Sequence, residues 1–170
     1  MRILVIVLLL VSCQSWSQVH CGFDFTSYIV LHVHENGKIE NIEGLKITLV
    51  DSDGKEAINV NNNLSWSNSG KGLSFSENYR VGADNKRIDD VSKAIKWHFP
   101  YSKDTYLLSV TNEFAADDYQ VKIEDPKQKY KTITVRLYSY NMYVLCTSQQ
   151  QSMQFGKRAN KPIDIVLELR

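Results

Sequence analysis

Gly44-Leu45-Lys46-Ile47-Thr48-Leu49-Val50-Asp51-Ser52-Asp53-Gly54-Lys55 is the stretch that decides the fold class. Leu45, Ile47 and Leu49 alternate with Lys46 and Thr48, the period of two expected of a strand that buries one face. Asp51-Ser52-Asp53-Gly54 then supplies turn chemistry. Asp carboxylates accept from nearby backbone N–H groups, and Gly reaches positive φ without a Cβ clash. Upstream, Tyr28 to His34 alternates in the same way and ends in Glu35-Asn36-Gly37-Lys38, where Asn-Gly is a strong reversal signal between strands. The chain therefore opens as strand, tight turn, strand, turn.

The same grammar continues outward. Ile29, Leu31 and Val33 share one face of the first strand, Lys55 to Asn59 returns from the Asp-Gly turn, and Leu73 to Arg80 alternates weakly, as an edge strand would. Asn61 to Gly72 and Gly82 to Asp90 are polar and predict loops, with Trp66 as the anchor of the first. Such a long connection between Asn61 and Asp90 suggests a functional or mobile segment. Ile95 to Phe99 is branched or aromatic at both ends and predicts a strand stopped by Pro100, in preference to a short helix capped by Asp89. Thr105 to Thr111, Tyr119 to Ile123 and Lys131 to Leu137 are further strands. Tyr138 to Cys146 is apolar on both faces and suits a central strand or two short ones; Ser148 to Asn160 is a Gln-rich loop. Ile163, Ile165, Leu167 and Leu169 alternate with Asp164 and Glu168 in a closing strand. About seven to ten strands with regular turns and no substantial helix argue for an all-β fold, an antiparallel β-sandwich.

Composition narrows the class further. The chain has 170 residues, of which 43% are hydrophobic, enough for one globular core. The net charge of +1, from 20 basic and 19 acidic residues, argues against a nucleic-acid surface, which is normally strongly basic. Met1-Arg2 followed by the apolar run Ile3 to Val11 is too short to span a bilayer and has the length of a signal-peptide core. Ser15-Trp16-Ser17 places small residues where a signal peptidase reads, so residues 1–17 are expected to be a signal peptide and 18–170 a single domain. Leu10-Val11-Ser12-Cys13 offers the alternative of a bacterial lipobox with Cys13 lipidated after residues 1–12, the one expected route to a membrane. Either way the chain is exported, to a secreted, periplasmic or cell-surface location. Cys21 and Cys146 then remain as a pair. In an oxidising compartment they suggest a disulfide, worth roughly 4–5 kcal/mol for so long a loop; the alternative is two unpaired thiols, Cys146 buried in a strand and Cys21 in a loose N-terminus.

Val33-His34-Glu35-Asn36-Gly37-Lys38 and the following Gly44 to Lys55, together with Tyr106-Leu107-Leu108-Ser109-Val110, Tyr119 to Asp125 and Tyr130, resemble carboxypeptidase regulatory-like domains. Those domains open with a strand, a D-x-x-G-x-P-(I/V)-x-G link, a strand and an Asp-Gly turn, and continue with a Y-x-L-x-V … Y half. The resemblance implies a transthyretin-like (prealbumin-like) sandwich of about seven strands that serves as a structural or binding module. Lys38-Ile39-Glu40 lacks the family's Pro, and Asn61 to Asp90 has no counterpart in it. The chain ends Leu167-Glu168-Leu169-Arg170, whereas hydroxyisourate-hydrolysing relatives of transthyretin end in Tyr-Arg-Gly-Ser, so that activity is not carried over.

Few residues carry recognisable site chemistry. His32 and His34 stand two apart, on the same face of a strand. Two imidazoles invite a metal, but a site takes three or four ligands; only Glu35 is nearby in sequence, and His20 and His98 are distant. The plainer expectation is a solvated or partly covered outer face with no metal. Asp51, Asp53 and Glu56 lack the spacing of a calcium loop and fit an ordinary hairpin turn. No Ser sits in a nucleophile-elbow context, and Cys146 follows Val144-Leu145 without a basic neighbour. The set Trp66, Phe75, Tyr79, Trp97, Tyr101, Tyr138, Tyr140 and Tyr143 fits core and rim packing most simply, and its exposed members could include a carbohydrate or peptide platform. The sequence thus points to a non-enzymatic structural or binding module of the cell envelope, without cofactor. Its partner is expected to be an envelope protein or a glycan met by the loop from Asn61 to Asp90 or by Gln149-Gln150-Gln151. The second reading is a small extracytoplasmic metal-binding or hydrolytic protein using His32 and His34.

Overall fold

The computed structural model describes residues 25–145 and 160–170. The signal-peptide and lipobox readings, Cys13, the Cys21–Cys146 pair, His20 and the Gln149-Gln150-Gln151 loop lie outside the described residues.

Among the described residues the regular structure is ten strands and four short 3-10 turns. Strand β1 (Thr26–Glu35) is the centre of the larger sheet. One of its edges pairs antiparallel with β6 (Tyr106–Thr111), which continues to the two-residue strand β3 (Ser76–Glu77). The other edge is shared by β9 (Met142–Val144), antiparallel beside Ser27 to Ile29, and β10 (Ile163–Leu167), parallel beside Leu31 to Glu35. The second sheet is β2 (Lys46–Asp51), β7 (Tyr119–Glu124) and β8 (Ile133–Arg136), all antiparallel. A separate hairpin joins β4 (Arg80–Val81) and β5 (Lys96–Trp97).

Alternation builds the core as the sequence pattern requires. Ile29, Leu31 and Val33 of β1 meet Ile47 and Leu49 of β2, Val121 and Ile123 of β7, and Leu108 and Val110 of β6 in one cluster shared by both sheets. Each fully buried Leu or Ile contributes about 1.5–3 kcal/mol relative to exposure. Tyr106 closes one end of this core. Its buried hydroxyl accepts from the Leu45 N–H at 3.0 Å and lies 2.8 Å from the Ile42 carbonyl, tying the β1–β2 link to β6. Burial pushes that hydroxyl's pKa upward, so it stays a donor. On the opposite face of β1, Val30 packs with Phe99, Leu107 and Tyr143, and Tyr28 lies against them.

Four expectations are corrected. The strands are not all antiparallel: β10 runs parallel to β1. After β9 has paired down one edge of β1, the chain from Leu145 to Pro162 is long enough to return to the same edge in the opposite direction, as a parallel neighbour requires. Leu73 to Arg80 is not one edge strand. It breaks into β3 and β4 because the Asn78 side chain takes the carbonyls of Phe99 and Ser102 and the N–H of Phe99, which turns the chain out of the ladder. Ile95 is exposed and outside β5, the two-residue remnant of the expected Ile95–Phe99 strand, which follows a 3-10 turn over Val91–Lys93 capped by Asp90 rather than Asp89. Trp66 does not anchor its loop; its side lies open to solvent.

The shared core sets the first prediction. Leu49→Ala should lower unfolding stability in urea by about 2–5 kcal/mol. Lys46→Ala, on the outward face of the same strand, should change it by less than about 1 kcal/mol. Equal losses for the two would mean that β2 is not held by one buried face.

Candidate functional site

Two places gather chemistry-bearing side chains, one near each end of β1. The first lies on the outer face of its C-terminal half. On the N-terminal half of that face Tyr28 and Val30 are covered by Phe99 and Tyr143, but His32 and His34 continue it beyond that cover. Their rings stack at 4.9 Å between centroids and 25° between planes. The parallel register sets Asp164 of β10 directly beside His32. Asp164 Oδ1 is 2.9 Å from His32 Nδ1 and 3.2 Å from His34 Nε2. The outward nitrogens meet backbone carbonyls: His32 Nε2 is 2.9 Å from Ile39 O, and His34 Nδ1 is 2.8 Å from Glu35 O.

Both carbonyls are held in place. Asn41 is buried and its side-chain oxygen accepts from Val33 N–H at 2.9 Å, while Ile42 N–H donates to Val33 O at 2.7 Å, folding the link that carries Ile39 back onto β1. Glu35 accepts from Lys129 Nζ at 2.6 Å, from Lys38 Nζ at 2.5 Å and from the Tyr130 hydroxyl. Those hydrogen bonds, Lys129 first, hold its carboxyl down to about 2. The His34 pKa is raised, first by the Glu35 carbonyl and then by Asp164, with burial opposing. Asp164 is lowered, first by its contact with His32 and then by that with His34, each a hydrogen bond to the carboxylate when the ring is protonated, again against burial. Beside the cluster a shallow cavity of about 410 Å³ is lined by His32, Asp104, Thr105, Lys161 and Asp164.

The second place is the loop after Lys55–Asn59. Asn59 is fully buried. Its Nδ2 donates to the carbonyls of Ser65 and Ser67 at 2.8 and 2.6 Å, and its Oδ1 accepts from Leu64 N–H and Ser65 N–H at 3.0 and 3.2 Å. Leu64 turns into the core and its carbonyl accepts from Thr111 N–H at 3.0 Å. Asn61, Asn62 and Asn68 take positive φ of 52°, 60° and 62°, a region Asn tolerates better than other side chains. The loop so fixed holds Trp66 57% exposed at the rim of an 800 Å³ cavity lined by Phe25, Asn62, Asn63, Thr111 and Glu113. Asn112, also in its wall, has its side-chain oxygen taken by Ser27 Oγ at 2.6 Å.

Of the residues singled out from sequence, His32 and His34 come together with Asp164, a third side chain of a type able to ligate metal, and His98 stacks instead on Tyr79 at 4.6 Å. Asp51 bonds the N–H groups of Asp53 and Lys55 within its own turn, the ordinary hairpin reading. Phe75 and Tyr143 are buried, while Trp66, Tyr101, Tyr138 and Tyr140 are exposed. Sequence reasoning missed Asp164, which no local signal ties to a histidine 132 residues away. It also missed Asn59, although the Asn61-Asn62-Asn63 run beside it marks a chain needing left-handed turns. Comparison with protein-family models, with curated proteins and with solved structures finds no match.

Two outcomes follow from this geometry. Asn59→Ala strands two buried N–H groups and two carbonyls, so it should cost at least about 2 kcal/mol and accelerate hydrogen exchange at Leu64 and Ser65; unchanged exchange would remove Asn59 as the loop's anchor. For Glu35 the folded pKa lies below the unfolded one, so its stabilising contribution is complete above the ordinary Glu value of about 4.3 and disappears as the pH falls toward 2. Lys129→Met should move the Glu35 carboxyl titration upward in carboxyl-carbon NMR.

Proposed function

We propose that the chain is an exported, non-enzymatic β-sandwich of the cell envelope, transthyretin-like or immunoglobulin-like in type, that binds a glycan at the Trp66 loop. The observation that carries this reading is the display of Trp66. A buried Asn with four backbone hydrogen bonds and three residues in left-handed conformations are invested in a loop whose one large aromatic is left in solvent. Left-handed backbone at non-Gly positions is uncommon and clusters at functional sites. A cavity of about 800 Å³ beside it is within the range of small-ligand sites, about 300–1,000 Å³.

The chemistry suits a sugar. An indole presents a flat apolar face to the C–H side of a pyranose ring. The amides of Asn62 and Asn63 and the carboxylate of Glu113 stand around it to exchange hydrogen bonds with hydroxyls. A preordered loop loses little entropy when a ligand docks. The apolar run from Ile3 to Val11 supports export, with Cys13 lipidation as the route to a membrane. The near-zero net charge supports a neutral partner over nucleic acid.

Calorimetry and tryptophan fluorescence with soluble oligosaccharides of N-acetylglucosamine and of glucose test the reading. Saturable binding should appear with one of them and vanish in Trp66→Ala, while Trp97→Phe, on the β4–β5 hairpin, retains it. Binding that survives Trp66→Ala would place the sugar elsewhere, and no binding to any envelope polysaccharide fraction would end the proposal.

A further inference from the structure

We propose that His32, His34 and Asp164 form a binding site for one divalent transition-metal ion, of which Zn²⁺ is the representative, with a coordination position left open to solvent. The argument rests on where the protons must lie. A carbonyl oxygen only accepts, so His32 Nε2 facing Ile39 O and His34 Nδ1 facing Glu35 O each carry hydrogen. In a neutral imidazole the other nitrogen is then a lone pair. His32 Nδ1, His34 Nε2 and Asp164 Oδ1 are those remaining atoms: the two nitrogens lie 2.9 and 3.2 Å from Asp164 Oδ1, and the three side chains bring one ligating atom each within 4.8 Å of the others. Three lone-pair-bearing atoms pointed at one place demand positive charge between them. Protonating one ring leaves the other ring's lone pair facing the same carboxylate oxygen, and protonating both stacks two imidazolium ions at 4.9 Å against a single carboxylate. One divalent cation supplies it at a single centre.

The carbonyls play the part that outer partners play in metal sites. They fix the tautomer and the ring plane of each histidine before a metal arrives. Both are themselves fixed: Ile39 by the Asn41 and Ile42 bonds to β1, Glu35 as the last residue of that strand. The distances need little change. Zinc bonds of about 2.0–2.2 Å in a tetrahedron put neighbouring ligand atoms about 3.3–3.5 Å apart, against the 2.9 and 3.2 Å seen here. Asp164 is the ligand able to yield those few tenths, since it sits on an edge strand with its side chain 67% exposed. The two imidazoles, 25% and 12% exposed, are the rigid part.

Donor type selects the metal. Imidazole with one carboxylate suits Zn²⁺ and its transition-metal neighbours, whereas Ca²⁺ and Mg²⁺ take oxygen ligands. Three protein ligands leave room for water or an exchangeable ligand, unlike the closed four-ligand set of a structural zinc. The 410 Å³ cavity lined by His32, Asp104, Lys161 and Asp164 adjoins two of the three ligands. Because the ligands come from β1 and β10, the ion also bonds the closing strand to the centre of the sheet. Among the described residues no other group of three ligating side chains stands so close.

Isothermal titration of the metal-free purified chain with Zn²⁺ should show one equivalent bound at micromolar protein, with no heat from Ca²⁺ or Mg²⁺. His34→Gln and Asp164→Asn should each weaken binding at least as much as losing an outer partner does, about 10–100-fold, while His98→Gln leaves it unchanged. Nitrogen-15 NMR of the imidazoles in the unsubstituted chain should show zinc on Nδ1 of His32 and Nε2 of His34, and amide exchange along Ile163 to Leu167 should slow. The NMR readout keeps the test decisive even if a variant fails to fold. Absence of Zn²⁺ binding, binding indifferent to His34→Gln and Asp164→Asn, or metallation at the opposite nitrogens would each overturn the site.

Discussion

The register of β1 is the constraint on which the rest depends. Its backbone is paired along both edges, by β6 on one and by β9 and then β10 on the other. Its side chains serve two faces that cannot be exchanged. A slip of one residue would turn Ile29, Leu31 and Val33 outward and drive His32 and His34 into the shared core. The cost of burying two unsatisfied imidazoles, added to the exposure of three fully buried aliphatic residues, fixes the register. The geometry of the histidine pair is thus a by-product of the same alternation that fills the interior. Once Leu31 and Val33 must face in, His32 and His34 must share a face.

This explains how much was legible in the sequence. Alternation is local, and it placed Leu45, Ile47, Leu49, Val121, Ile123, Ile165 and Leu167 in the interior as found. What alternation lacks is any statement of partner. That β10 lies parallel to β1 follows from β9 already holding part of the same edge, a fact of topology that no period of two encodes. Asp164 became a neighbour of His32 only through that pairing. The failures nearer the surface have a different cause. From Leu73 to Phe99 the chain is held by short, scattered backbone bonds and by side chains such as Asn78, not by one continuous ladder. Apolar residues there, such as Ile95, need not face inward. Trp66 is exposed because a buried Asn making four bonds anchors a polar loop better than an indole does.

Polar satisfaction also separates the two candidate sites in character. Around Asn59 every donor and acceptor of the amide is used, and the described residues contain no buried side-chain nitrogen or oxygen without a partner. That loop is complete in itself, and what it offers outward is a rigid apolar surface. The histidine cluster is the reverse. Its outward nitrogens are satisfied by backbone, but its inward atoms are matched only when a cation or protons sit among them. One site is arranged to present a shape, the other to hold a charge.

Their placement decides whether they can influence each other. At about 3.3 Å per residue, the stretch from Thr26 at the rim of the Trp66 cavity to His34 spans about 26 Å of one strand. No side chain is common to both sites. Coupling over such a distance requires an element with two discrete arrangements that each ligand favours differently. β1 is a poor candidate for that element, since both of its edges are bonded and its inner face is interlocked with the second sheet. β10 is different: it is an edge strand, paired to β1 alone within the sheet, and it contributes Asp164. An ion that bridges Asp164 to β1 therefore acts on the docking of the closing strand. The Trp66 loop, pinned through Asn59 and Leu64 to β6, lies on the other side of β1 from that strand and should not sense whether the ion is there.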